Sequence, residues 1–325
     1  MDADRAHGAV ARPESGLTAR RAITPQLPMR MADFARRGFR VDRPRPRAEL
    51  ERHARSFLSG YNLAIAHWPD VHEALGTVPA EERGFAYEGA AMYAGQRDLV
   101  SVRRSAALTA LLAESGQDYI HLIHVGLGWA LSPLRLPLRV RTPVTPLLRW
   151  LALDGAGFAD VFFGGRRTLA RRARRAGRDP ARLARLAGSG RAMWFLTSAD
   201  PVETHELLEH APVAAQAALW SGVGLAATYA GGADESELDT LRIRAGDHWS
   251  HLAQGVVFGA TARTRAGVVP AHTALACARL ASITPETAAT WAHEATHGLT
   301  ERRDVQAYQE WRTRIRLLAT ESAES

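Results

Sequence analysis

The sequence predicts an all-α fold: stacked helix-pair, solenoid-like repeats forming one superhelical domain. Two observations carry that expectation. A glycine phrase returns along the chain, anchored at Gly60, Gly89, Gly126, Gly155, Gly190, Gly222 and Gly255. Its spacings of 29, 37, 29, 35, 32 and 33 residues suit two short helices and their turns. In addition, no run alternates Val, Ile and Thr between hairpin turns, so strands are not expected. A glycine inside a helix costs about 1 kcal/mol relative to alanine. Seven of them must therefore be offset, and close approach of neighbouring helices is the direct way to do it.

In chain order, residues 1–30 mix Arg, Pro, Gly and Thr without apolar periodicity and read as a disordered leader. The all-α repeat domain is expected over 31–318, followed by a short polar tail at 319–325. Arg43-Pro44-Arg45-Pro46-Arg47 reads as an extended connector, and Glu49 to His67 as an amphipathic helix ended by Pro69. Helices follow around Gly89, over Ala106–Ala113 and over Tyr119–Leu131. Pro133, Pro137 and Pro143 punctuate a connector, and Thr145-Pro146 has the cap and first-turn character that begins the next helix. Asp234-Glu235-Ser236-Glu237 and Thr284-Pro285-Glu286 start two more, acidic where the helix dipole favours it.

With 325 residues and 46% hydrophobic content the chain can bury a large core. No stretch is long and apolar enough for a membrane span, and the first residues lack a signal core, which suits a cytoplasmic protein. One cysteine, Cys277, excludes an internal disulfide framework. All 41 basic residues are arginine, and the net charge is +7. The densest block runs from Arg166 through Arg171, Arg174 and Arg175. It reads as a solvated helix face or as a docking site for an acidic carrier protein or synthase. Without interleaved aromatics it does not suit nucleic acid.

Two constellations could carry chemistry. His293-Glu294-Ala295-Thr296-His297 has the spacing of a zinc-hydrolase helix, in which histidines four apart share a face. No third ligand follows at the usual distance, so it is a weak metal candidate, and no cofactor is expected. The other constellation lies on the glycine phrases. Tyr87 and Glu88 precede Gly89, His124 precedes Gly126, Asp154 precedes Gly155 and Trp220 precedes Gly222. If the repeats stack in register, these positions line one wall. Carboxylates in alanine- and glycine-rich helices are costly unless paired. Glu88, His124 and Asp154 are thus candidate acid–base residues, or else a polar network joining repeats. Tyr87, Trp129, Trp194, Trp220 and Tyr229 offer flat apolar surface for a ligand.

The phrases Gly84-Phe85-Ala86-Tyr87-Glu88-Gly89, His124-Val125-Gly126-Leu127-Gly128-Trp129 and Leu219-Trp220-Ser221-Gly222-Val223-Gly224 resemble one family. So do Leu153-Asp154-Gly155-Ala156-Gly157-Phe158 and Gly190-Arg191-Ala192-Met193-Trp194. It is the actinobacterial domain of unknown function 1702 family, encoded beside iterative polyketide synthases in enediyne antibiotic clusters. The resemblance implies a part in enediyne core formation or maturation, and the role expected from it is binding or modifying a polyunsaturated polyketide intermediate. It implies no particular reaction. A non-catalytic scaffold for the pathway's enzymes is the alternative.

Overall fold

A computed structural model describes residues 25–101, 106–132 and 146–324. Most of the expected leader, and the connector containing Pro133, Pro137, Pro143 and Thr145, lie outside the described residues. Every regular element described is helical. They run α1 (Phe34–Arg37), α2 (Pro44–His67), α3 (Val71–Gly76), α4 (Arg83–Val100), α5 (Ala106–Leu111), α6 (Ile120–Leu131), α7 (Leu151–Ala176) and α8 (Pro180–Leu196). Then come α9 (Pro201–Glu209), α10 (Val213–Ala230), α11 (Glu235–Ala245), α12 (Trp249–Arg265), α13 (Ala271–Ala276), α14 (Pro285–Glu294) and α15 (Val305–Glu324). Among the described residues no helix is long and apolar enough to cross a membrane.

Three local expectations change. The Arg43–Arg47 segment is the first turn of α2, because proline at N1 forfeits only an N–H that has no helical partner anyway. Residues 319–324 of the expected polar tail are the last turns of α15. Leu27, in the expected leader, exchanges hydrogen bonds with the Asn62 side chain at 2.8 and 2.9 Å, so order begins before residue 31.

The glycine-bearing helices α2, α4, α6, α7, α8, α10 and α12 pack side by side in chain order. One steric rule governs every joint. A Cβ on Gly60 would overlap the carbonyl of Ala86, three residues before Gly89, while one on Gly89 would overlap that of Phe57, three before Gly60. The same reciprocity links Gly128 with Gly155, Gly157 with Gly188, Gly190 with Gly222, and Gly224 with Gly255. At the α4–α6 joint Gly126 meets the carbonyl of Glu88, with Ala91 in the reciprocal place. Each glycine thus lets a neighbouring backbone close in, with Cα–H···O contacts of about 0.5–1 kcal/mol each.

The rule explains the G-x-G spelling. Residues two apart on an α-helix point about 200° apart. The first glycine of a pair therefore faces the preceding helix and the second faces the following one. The residues one before and three after the first glycine share the remaining face, which is the inner wall of the row.

The row curls. Phe85 at the start of α4 packs on Tyr229 near the end of α10, with ring centroids 5.1 Å apart. His53 Nε2 on α2 lies 2.9 Å from the Ala230 carbonyl. Arg263 on α12 donates to the Glu81 carbonyl at 2.6 Å and to the Tyr229 carbonyl at 2.6 and 3.1 Å. The N-terminal segment with α1 lies over one end of the inner wall, and α15 over the other.

Candidate functional site

The inner wall holds two cavities with one side chain between them. Glu88 stands one residue before Gly89 on α4, Asp154 one before Gly155 on α7, and Arg191 three after Gly188 on α8. The wall positions bring all three together. The Arg191 guanidinium donates to Asp154 through Nη1 and lies 3.5 Å from Glu88 Oε1 through Nη2. Trp129, three after Gly126, donates to the same Glu88 oxygen at 2.9 Å. Phe158, three after Gly155, lies beneath the guanidinium at 4.9 Å. All of these groups are buried.

Burial raises the Glu88 pKa above its ordinary value, with the nearby Asp154 charge in the same direction, against the pull of Arg191 and Trp129. Burial opposes the charge on Arg191, but Asp154 and Glu88 more than offset it and its pKa is raised. Glu88 Oε2 accepts no hydrogen bond from the described residues. A buried carboxyl whose pKa is raised can, when protonated, donate a proton or a hydrogen bond, which is the chemistry available here.

The first cavity has Glu88 and Arg191 at its floor and a wall of Phe57, Phe85, Trp129, Phe158, Phe162 and Phe195. The Trp129 ring lies 4.5 Å from Phe57 and 5.3 Å from Phe158. Leu27 and Met31 lie at its N-terminal edge. It is a narrow slot, and its roughly 560 Å³ of empty space includes the solvent at its mouth. The second cavity, about 690 Å³ counted likewise, has Asp154 and Arg191 on one side and Arg312, Tyr308 and Trp311 of α15 on the other.

Of the acid–base candidates, Glu88 and Asp154 converge and His124 does not. His124 stands two residues before Gly126, one helical step off the wall. It donates from Nδ1 to the Ile120 carbonyl at 2.8 Å. Its Nε2 is buried without a partner among the described residues. Burial pushes its pKa down to about 4, so it is a neutral core side chain.

Of the aromatic candidates, Trp129 lines the first cavity and Tyr229 the second. Tyr87 stacks on Tyr119 at 4.3 Å and bonds His72 and Ser115, outside both cavities. Trp194 is wholly buried with its indole N–H on the Gly231 carbonyl, and Trp220 packs near His205. These three are core.

The residues that sequence reasoning missed are Arg191 and Arg312. Aligning Gly188-Ser189-Gly190 with Gly126-Leu127-Gly128 and Gly155-Ala156-Gly157 places Arg191 opposite Trp129 and Phe158. Anchoring the phrase on Gly190 hid that register. Arg312 lies beyond the last phrase and has no such signal.

The zinc-type spacing does not make a zinc-type helix. α14 ends at Glu294, and Thr296 and His297 lie in the turns after it, so His293 and His297 do not share a helical face. Among the described residues no cluster of His, Cys, Asp and Glu could hold a metal. In the basic block, Arg166 pairs with Glu203 and Arg171 reaches Thr168 at 3.3 Å. Arg174 and Arg175 are exposed on α7.

A family model described as a protein of unknown function, DUF1702, matches residues 16–318. No curated protein and no solved structure matches the chain.

Proposed function

The chain belongs to the DUF1702 family of proteins of unknown function, and from that premise we propose that it holds a flat, polyunsaturated polyketide-type chain in the aromatic slot and acts on it as an acid. The setting is cytoplasmic, in enediyne-type natural-product biosynthesis. In this reading the curled row is a superhelix of helix pairs whose interior is the ligand space. The observation that carries it is the Glu88 carboxyl, raised in pKa and with one oxygen uncommitted, at the floor of a narrow aromatic slot. A conjugated chain is one carbon thick and suits such a slot, since aromatic faces bury it without demanding hydrogen bonds. The exposed arginines of α7, Arg174 and Arg175, supply the docking surface for an acidic carrier protein.

The probe for holding is diphenylhexatriene, a neutral polyene that fluoresces in apolar surroundings. It should bind saturably and lose roughly tenfold or more in affinity in Met92→Trp, which fills the slot. Unsaturable binding, or binding indifferent to that substitution, would sink the reading. The test for acting is product formation in the producing cell with Glu88→Gln, which keeps the shape and removes the proton. Product lost while polyene binding stays supports acid chemistry. Product unchanged leaves a holding or scaffolding protein.

A further inference from the structure

We propose that the second cavity is a receptor for the carboxylate of a small, otherwise apolar organic acid, with Arg312 as its counter-ion. This is independent of the polyene slot and of Glu88.

Three buried arginines differ in how their charge is met. Arg191 has the Asp154 carboxylate as its close partner, with the Glu88 carboxyl 3.5 Å away. Arg263 spends its donors on the Tyr229 and Glu81 carbonyls, the former in the last turn of α10, where the helix dipole is negative. Arg312, 3% exposed, has neither. Its Nε donates to Gln254 Oε1 at 3.0 Å and its Nη2 to Ser221 Oγ at 2.9 Å, both neutral acceptors. Among the described residues no carboxylate lies within ion-pair distance of it, and Asp154 on the facing wall is committed to Arg191.

A buried cation without a counter-charge is costly. An anion entering the cavity would remove that cost through a charge-assisted bond. Burial first, and then Arg312, push Arg316 down to about 10, and His251 is lowered to about 3 by burial, Arg316 and Arg312.

The rest of the lining selects the class of anion. Tyr308 brings a hydroxyl with no partner among the described residues, and burial raises it to about 12, so it remains a donor. Val125, Leu225, Phe258 and Trp311 supply apolar wall. A bare inorganic ion would leave that wall unused, whereas a carboxylate on a short hydrocarbon body uses both parts.

The experiment is calorimetric and thermal-shift titration of the full chain at pH 7 and constant ionic strength. The probes are straight-chain carboxylates from butanoate to decanoate, with the matching primary amides. The expected result is that at least one carboxylate binds and raises Tm, roughly tenfold or more tighter than its amide. Gln254→Glu supplies an internal counter-charge beside Arg312. It should raise the Tm of the ligand-free protein and weaken the carboxylate roughly tenfold or more. Arg312→Met should also abolish the preference for carboxylate over amide. Met92→Trp, in the other cavity, should leave it intact. Equal binding of amide and carboxylate, no binding of any carboxylate, stabilisation by chloride alone, or indifference to Gln254→Glu would each overturn the assignment. Gln254→Glu decides the matter even where Arg312→Met fails to fold.

Discussion

Glu88 and Asp154 hold the same guanidinium and have opposite consequences when changed. Asp154 forms the tighter bond to Arg191, so Asp154→Ala leaves a buried charge with a weaker partner. It should cost about 3–5 kcal/mol by chemical denaturation. Glu88 behaves differently because its folded-state pKa lies above its unfolded value near 4.5. Below about 4.5 both states hold the proton and stability is full. As pH rises through the raised folded pKa, the burial penalty on the carboxylate is incurred and stability falls. Glu88→Gln should therefore match the wild type near pH 4 and gain on it as pH rises, read by denaturation midpoints across pH 4–8. A constant difference over that range would refute the raised pKa. The sequence revealed both carboxylates, because an acid beside a glycine in an alanine-rich helix demands a partner. It concealed the partner, because arginine in an arginine-rich chain carries no signal until the register is known.

For the helices, legibility was uneven for a physical reason. The steric need for a small residue at a joint leaves a mark that recurs, so Gly60, Gly89, Gly126, Gly155, Gly190, Gly222 and Gly255 all identified joints correctly. The orientation of a residue depends on a single step of about 100°. That step separates His124, which packs in the core, from Val125, which faces the second cavity. The motif at His293 failed similarly. Its spacing is helical, but the helix stops inside it at Glu294. The joints make a sharp prediction. Gly157→Ala gains about 1 kcal/mol of helix propensity, yet drives a Cβ into the Arg185 carbonyl. It should lose about 2–3 kcal/mol or more. Gly76→Ala, at the end of α3 with open space around it, should be neutral or stabilise by up to about 1 kcal/mol. Equal effects at the two sites, measured by urea midpoints, would refute the joint rule.

Across the whole molecule, the glycine phrase foretold a row of helices and not that its ends would meet. That meeting depends on Arg263, far in sequence from Glu81, and on the Phe85–Tyr229 contact. Neither belongs to the repeated spelling. Arg263→Met would leave the Tyr229 and Glu81 carbonyls without this donor, at a cost of about 1–3 kcal/mol. Hydrogen exchange should show the loss concentrated at the start of α4 and the ends of α10 and α12, with α6 and α7 little changed. Uniform loss across all the long helices would mean that the seam is not a separate structural unit.

The two-residue offset within each glycine pair has one more consequence. It confines the demand for smallness to the two flanks of a helix and leaves the inward positions under no such constraint, so Met92, Trp129, Phe158, Arg191, Leu225 and Phe258 can all occupy the same place in successive helices. Frame and contents are thereby written in separate letters. A chain built this way can exchange what lines its interior, one helix at a time, and keep the architecture that encloses it.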